Sequence, residues 1–369
     1  MKKILLALSL CLGIAGMLAA DNPVQLNAAG ATFPNPIYSK WFEEYHAMNG
    51  NVEINYQSIG SGGGIRQLMA HTVDFGASDM PMTDQQLQQA GFKILHFPTV
   101  LGAAVPSYNV PGVTTDLKFT QKALAGIYMG TITKWSDPEL TKANPGVSLP
   151  NADIVVVHRS DGSGTSFIWT DFLSKASDDW KNKIGSNSSV NWPVGLGGKG
   201  NEGVSGLVKN TPDSIGYIEL IYAVQNNISY GEVQNASGAF VKASFDSVSA
   251  AAAGAAKTMP DDFRVSITNA PGKTAYPISS FTWLLIPAQI QDAGKRDIIK
   301  GFLHWMLTDG QKDCAGLSYA PLPAPVVTKE LKAISLIQSV LGTLGLKPWR
   351  QFPLRHRSDP RARVGVRGF

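Results

Sequence analysis

Short apolar runs recur along the chain, and each is followed by a segment with helical spacing. Strand-like runs include VQLNAAG (24–30) and VEINYQSIG (52–60). The segment 34–50 starts with proline, ends with glycine and places its large apolar side chains on one helical face. Similar pairs continue to about residue 337. We therefore predict an α/β fold in which mainly parallel sheets are covered by helices.

The first twenty residues follow a different pattern. Two lysines precede an apolar run that ends at Ala20, which is the arrangement of a secretory signal peptide. We predict cleavage after Ala20 and export of the mature chain. The run is shorter than the ~20 residues of a membrane span, which disfavours a transmembrane anchor. Lipid attachment at Cys11 is disfavoured because Leu10 stands where a small residue is expected.

The net charge of +4 comes from the two ends of the chain. When the two signal-peptide lysines and the seven basic and one acidic residues of segment 340–369 are left out, 23 basic and 27 acidic residues remain. The body is therefore mildly acidic, and we expect no nucleic-acid binding. Segment 340–369 is rich in arginine, proline and glycine and has no clean period, so we expect a disordered basic tail.

Four turns combine glycine with hydroxyl side chains. They are AGATFP (29–34), IGSGGG (59–64), FGASD (75–79) and RSDGSGTS (159–166). Glycine lets backbone amides approach a ligand, and the first amides of a helix lack internal partners and favour an anion. Arg159 adds a planar cation suited to phosphate or carboxylate. Each turn alone is typical of a helix N-cap, but together they predict an oxyanion site.

These motifs resemble, in order, those of the periplasmic phosphate-binding proteins of phosphate ABC transporters. Further motifs that carry the resemblance are TVDFGASDMPM (72–82), IYMGTITKWSD (127–137), NWPVGLGGKGNEGV (191–204) and SIGYIE (214–219). The resemblance implies a type II periplasmic binding protein fold, in which two α/β lobes joined by two hinge crossings close on one phosphate. Lobe one would contain residues 24–100 and 276–337, and lobe two would contain residues 101–275. Beyond about residue 338 the resemblance ends.

The resemblance also implies a set of phosphate ligands from both lobes. The matching motif positions are Thr32, Phe33, Ser61 and Asp79 on lobe one, and Arg159, Ser163, Gly164 and Thr165 on lobe two. Phe33 and Gly164 would bind through their backbone amides, and Asp161 would orient Arg159. The implied function is phosphate capture in the periplasm and delivery to a membrane permease and, through it, to an ATPase. We expect a monomer without a cofactor.

Asp79 is the one carboxylate in this set, and it suggests how phosphate is distinguished from sulfate. An ionised carboxylate only accepts hydrogen bonds. Phosphate near neutral pH still carries a proton that it can donate, whereas sulfate does not. Sulfate and molybdate sites need no such acceptor, so Asp79 disfavours those ligands. Arsenate is nearly isosteric with phosphate and should also bind.

The sequence disfavours other functions, namely dinucleotide binding and catalysis. GLGGKG (195–200) matches the dinucleotide pattern G-x-G-x-x-G, but Trp192 and Pro193 precede it instead of a strand, so we interpret it as a turn near the cleft. Ser163 lies outside a G-x-S-x-G elbow, and His158 follows an apolar run where a packed side chain is expected. We therefore expect no enzyme, although a phosphatase-like activity stays open. Cys314 would be the only cysteine of the mature chain, and we interpret it as a packed side chain.

Overall fold

The computed structural model describes residues 23–339. The predicted signal peptide (residues 1–20) and the predicted basic tail (residues 340–369) lie outside the described residues. The strands are β1 (Val24–Gly30), β2 (Val52–Ser58), β3 (Phe75–Ser78), β4 (Ile94–Asn109), β5 (Lys118–Phe119), β6 (Val155–Arg159), β7 (Leu196–Gly198), β8 (Ser214–Glu219), β9 (Ser229–Tyr230), β10 (Glu232–Gln234), β11 (Phe240–Val241) and β12 (Ser279–Pro287).

Helices alternate with these strands along the chain. They are α1 (Asn35–Met48), α2 (Ser61–Met69), α3 (Asp84–Ala90), α4 (Gln121–Met129), α5 (Pro138–Ala143), α6 (Gly164–Ala176), α7 (Asp178–Lys183), α8 (Gly200–Asn210), α9 (Leu220–Asn226), α10 (Phe245–Ala252), α11 (Ala255–Thr258), α12 (Ala293–Thr308) and α13 (Ala324–Ala333). Short 3₁₀ turns follow at Gly310–Asp313, Ala315–Leu317 and Ile334–Leu336.

Most strands form one mixed sheet with the order β2-β1-β3-β12-β4-β8-β6-β7, and β9 also pairs with β4. The pairs at both flanks are parallel, namely β1 with β2 and β3, and β6 with β7 and β8. The pairs around β12 and β4 in the centre are antiparallel. A smaller sheet has the order β11-β10-β5. The α/β class is therefore confirmed, with parallel strands at the flanks where the βα pairs lie.

Strand β4 runs through both halves of the large sheet. Residues 94–103 pair with β12, and residues 104–109 pair with β8. The sequence pattern predicts more than one strand here, since prolines interrupt the run. Pro98 is accommodated beside an irregularity between Thr282 and Trp283 of the neighbouring strand, because a shift in register removes the need for a regular ladder bond.

Each half of the sheet has its own aromatic core. On one side Phe42 of α1 packs against Phe302 of α12 with ring centroids 5.3 Å apart. On the other side Trp169 of α6 stacks on Tyr217 of β8 at 5.1 Å. Cys314 is fully buried, as expected for a packed side chain. The packed halves provide rigid supports for the turns that lie between them.

The segment between α11 and β12 contacts both halves. Lys329 of α13 donates to the Met259 carbonyl at 2.7 Å, and Arg264 donates to the Met82 carbonyl at 2.8 Å. Farther along, Thr268 accepts a hydrogen bond from Lys175 of α6 at 2.7 Å. The predicted lobe boundaries stay a prediction, and this segment links the two regions that they separate.

Candidate anion-binding site

The four glycine- and hydroxyl-rich turns lie together at the carboxyl ends of β1, β2, β3 and β6. The amide of Gly62 donates to the carbonyl of Gly162 at 2.9 Å, which joins the turns before α2 and α6. Gly164 also approaches the turns of the other half closely. A side-chain carbon placed on it would be 2.4 Å from Ser61 Oγ and 2.5 Å from Asp79 Oδ2. The two halves of the sheet are therefore in contact at the predicted site.

Arg159 is the last residue of β6, and its side chain is only 1% exposed. Its Nε and Nη2 atoms donate to the two oxygens of Asp161 at 2.7 and 2.6 Å. Asp161 also accepts from the Gly200 amide at 3.1 Å. Burial raises the pKa of Asp161, but the hydrogen bonds and charge of Arg159 oppose this, so that the pKa falls below its ordinary value. The ionised carboxylate thus fixes the guanidinium plane.

Asp79 follows β3 directly and is 1% exposed. Its Oδ1 accepts from Thr282 Oγ1 at 2.7 Å, and its amide donates to Ser61 Oγ at 3.1 Å. Burial raises the pKa of Asp79 to about 7, against the lowering effects of the Thr282 hydrogen bond and the Arg159 charge. The carboxyl group therefore exchanges its proton near neutral pH.

Tyrosine hydroxyls hold the backbone of the turn between β1 and α1 from three sides. Each of three successive carbonyls in this turn accepts one hydrogen bond. The pairs are Tyr56 with Ala31 at 2.6 Å, Tyr222 with Thr32 at 2.5 Å, and Tyr319 with Phe33 at 2.6 Å. Since the carbonyls are held by these hydroxyls, the peptide planes of the turn are fixed, and the directions of its amides with them.

Several backbone amides at this point have no acceptor among residues 23–339. Within the described part of the chain, the amides of Thr32 and Phe33 donate to no other group. Gly164 and Thr165 begin α6, and their amides precede the first bond within the helix. Ser163 caps this helix, and its Oγ accepts from the Ser166 amide at 3.0 Å. These amides are donors suited to an oxyanion.

The structure places all the site residues predicted from the sequence in this one region. All eight positions are buried, namely Thr32, Phe33, Ser61, Asp79, Arg159, Ser163, Gly164 and Thr165. Asp161 pairs with Arg159 as the sequence predicted. The eight positions combine amides, hydroxyls and one guanidinium with a single carboxyl group, which is the composition of a binding site for a small oxyanion.

His158 stacks on Trp192 with ring centroids 4.9 Å apart and directs Nδ1 at the Arg159 carbonyl, 3.0 Å away. Residues 23–339 contain no group of three or more His, Cys, Asp or Glu side chains that could hold a metal ion. Among the helices of the same part of the chain, none has the length and hydropathy that a membrane span requires.

Comparison with known proteins places the chain in a family. Residues 19–310 match the PBP superfamily domain. The phosphate-binding protein PstS of Xylella fastidiosa (strain Temecula1) is 46% identical over 311 residues, which cover 84% of either chain. The phosphate-binding protein PstS of Haemophilus influenzae is 45% identical and covers 85% of this chain and 93% of its own. This chain belongs to the PstS family.

A solved structure extends the likeness of this PstS family member to the fold. The high-affinity periplasmic phosphate-binding protein PfluDING, solved with phosphate, superposes with a TM-score of 0.66 at 19% identity and covers 83% of this chain and 93% of its own. At this identity the likeness concerns the fold alone. The two-lobe α/β fold that the sequence predicted is thereby confirmed.

Two side chains of the site in this PstS family member were not predicted from the sequence. Thr282 of β12 donates to Asp79, and Asn201 of α8 donates to Thr32 Oγ1 at 2.7 Å. Asn201 lies inside the motif NWPVGLGGKGNEGV, which carries the family resemblance, and directly follows GLGGKG (195–200), which we interpret as a turn near the cleft. A signal existed for Thr282, because it is a hydroxyl residue placed between the large apolar side chains of Phe281 and Trp283 in β12.

Proposed function

We propose that this protein binds inorganic phosphate tightly in the periplasm and delivers it to the permease of a phosphate ABC transporter. The observation that carries the proposal is the meeting of donors from both halves of the sheet around Asp79. Relatives that are 45–46% identical are named phosphate-binding proteins. The chain thus combines the family of those proteins with side chains suited to the same ligand.

The proposed ligands on lobe one are Thr32, Phe33, Ser61 and Asp79, and those on lobe two are Arg159, Ser163, Gly164 and Thr165. Oriented amides and hydroxyls replace the water shell of the anion, and the Arg159 charge is held in place by Asp161. Binding therefore needs no net positive charge on the protein. This agrees with the acidic balance of the chain between the signal peptide and the tail.

Asp79 selects for an anion that carries a proton. Its ionised carboxylate accepts a hydrogen bond from a P–OH group, whereas sulfate would place one buried acceptor against another. A site built around such a bond can discriminate by roughly 10⁴–10⁵. The low exposure of Asp79 supports this role, because water cannot enter to compensate the mismatch.

Delivery depends on the difference between the ligand-free and the bound shape. Phosphate that contacts both lobes favours their closed arrangement. The permease would recognise the closed form, and through the permease the ATPase would respond to it. We propose a monomer that acts in the periplasm after removal of the signal peptide.

Calorimetry tests the proposed function. The purified protein is unfolded and refolded to remove bound ligand, and then titrated with phosphate and with sulfate. We expect saturable one-to-one binding of phosphate and no heat from sulfate at the same concentration. Equal binding of both anions, or no binding of phosphate, would contradict the proposal. Incubation with phosphate esters should release no phosphate, and sustained release would indicate an enzyme.

A further inference from the structure

Asn201 stands between the two halves of the proposed site. It is the second residue of α8 and is fully buried. Its side-chain Nδ2 lies 2.7 Å from Thr32 Oγ1 on lobe one and 3.2 Å from Thr165 Oγ1 on lobe two. Its backbone amide donates to Thr32 Oγ1 as well, at 3.2 Å. One asparagine therefore contacts two of the hydroxyls that are proposed to bind the anion.

The orientation of the Asn201 amide is determined by its other neighbour. Asn201 Oδ1 lies 2.9 Å from the backbone amide of Glu219. A backbone N–H group can only donate, so the atom that faces it must be the amide oxygen. The NH₂ group must then face Thr32 and Thr165. The direction of these hydrogen bonds follows from the backbone of β8, without any assumption about the ligand.

The hydroxyl groups have a limited number of hydrogen-bonding positions. A threonine hydroxyl offers one hydrogen and two lone pairs. Thr32 Oγ1 accepts from the backbone and the side chain of Asn201. Thr165 Oγ1 accepts from Asn201 Nδ2 and, at 3.3 Å, from Arg159 Nη1. Both lone pairs of each oxygen are used, so each hydroxyl has only its hydrogen left to offer.

We propose that Asn201 is a positioning residue that makes Thr32 and Thr165 donors toward the bound anion. Its effect on Thr32 requires that the lobes meet, because Thr32 belongs to lobe one while Asn201 and Thr165 belong to lobe two. The inference rests on the proposed function and adds to it. Closure of the lobes therefore does more than enclose the anion. It also fixes the direction in which the Thr32 hydroxyl donates its hydrogen bond.

Two substitutions separate this role from a structural one. Asn201→Leu has a similar shape but removes the side-chain donor, so each of the two hydroxyls keeps only one of the two donors that fix its direction. Asn201→Asp retains the oxygen that accepts from the Glu219 amide. When it is ionised, however, the group that faces Thr32 and Thr165 is an acceptor instead of a donor. It then draws both hydroxyl hydrogens away from the anion. The charged and titratable groups around this point are Arg159, Asp161, Glu202, Glu219 and Asp79, and the acids among them favour protonation of the introduced carboxyl.

The test measures phosphate affinity of the variants relative to the wild type between pH 8 and pH 5. For Asn201→Leu we expect a loss of about 10- to 100-fold at every pH, the range for hydrogen bonds to a charged group. For Asn201→Asp we expect a loss of at least about 100-fold at pH 8 and recovery to within about tenfold of the wild type at pH 5, where the protonated carboxyl donates again. A merely structural role would give no recovery.

A control variant shows how much stability is lost when a buried asparagine outside the site is changed. Asn144 is 4% exposed, and its amide bonds only to the backbone of Lys118 and Leu140. Asn144→Asp should lower the melting temperature but leave the phosphate affinity within about twofold. Unchanged affinity of Asn201→Leu, with wild-type binding intact, would overturn this inference alone. Absence of binding by the wild type would overturn the proposed function together with it.

Discussion

We propose that Asp79 determines anion selectivity in the proposed site, because it is the one carboxylate, and so the one acceptor-only group, among the proposed ligand side chains. Thr282 donates to its carboxyl group, its backbone amide donates to Ser61 Oγ, and burial raises its pKa to about 7. The group is therefore close to the point at which it changes from acceptor to donor. Two consequences for anion binding can be measured.

The substitution Asp79→Asn should relax the rejection of sulfate. The introduced NH₂ group can donate to an anion that has no proton, so we expect sulfate affinity to rise by about 100-fold or more while phosphate affinity changes by less than about tenfold. Titration calorimetry with both anions measures this. Asp74→Asn is the control, since Asp74 on the same lobe pairs with Lys295. If sulfate were still rejected, Asp79 would not be the selective group.

Weak sulfate binding by the wild type should depend on pH. With a pKa of about 7 for Asp79, the protonated form prevails at lower pH, and it can donate to sulfate. From pH 8 to pH 6 the protonated fraction rises from about one tenth to about nine tenths, so sulfate affinity should rise about tenfold. Competition titrations against phosphate would measure it. The Asp79→Asn variant should lack this slope, and a slope retained there would assign it to another group.

At the scale of elements, the N-termini of α1, α2 and α6 meet because glycines replace side chains where the backbones approach. Gly60 shows this most clearly. It has φ +86°, and a side-chain carbon on it would lie 2.3 Å from Asp161 Oδ2. Only glycine fits both the backbone conformation and the space. The close contact of the turns is therefore a property of these glycine positions.

Gly164→Ala should prevent closure without disturbing either lobe. Alanine suits the helical backbone of α6, but its Cβ would lie 2.4 Å from Ser61 Oγ on the opposite lobe. We expect phosphate affinity to fall by about 100-fold or more and the ligand-free melting temperature to stay within a few degrees. Gly206→Ala is the matched control, because its added carbon would meet nothing within 4 Å. Equal affinities of the two variants would contradict the contact between lobes.

The sequence predicts the parts of this site that are encoded locally. The turn holding Arg159, Asp161 and Ser163 is recognisable because its donors lie within a few residues between an apolar strand and a helix. Asn201 could not be found in this way, since its function depends on Thr32, which is 169 positions away in sequence. The tyrosines that hold the turn between β1 and α1 are also distant in sequence and resemble ordinary core residues.

The same limit applies to the elements. The alanine-rich segment 245–259 predicts one helix, but it forms α10 and α11 with a break at Gly254, where glycine weakens the helix. The sequence also does not show that β4 is one continuous strand, because its prolines suggest interruptions. Its continuity results from pairing with β12 and β8, which come from distant parts of the chain.

At the scale of the whole molecule, β4 connects the two halves of the sheet, and the proposed ligands lie on either side of it. Asp79 and Arg159 belong to different halves, and Tyr222 of α9 reaches across to the Thr32 carbonyl. In the proposed function an anion held by both halves joins them, so that the bound shape differs from the ligand-free one. In the proposed function this difference is what the permease recognises.

A crystal structure of the protein saturated with phosphate tests the central claim most directly. We predict one phosphate between the lobes, within about 2.6–3.2 Å of donors from Thr32, Arg159 and Thr165 and of a carboxyl oxygen of Asp79. A phosphate bound elsewhere on the protein, with these groups separated from it, would contradict the account.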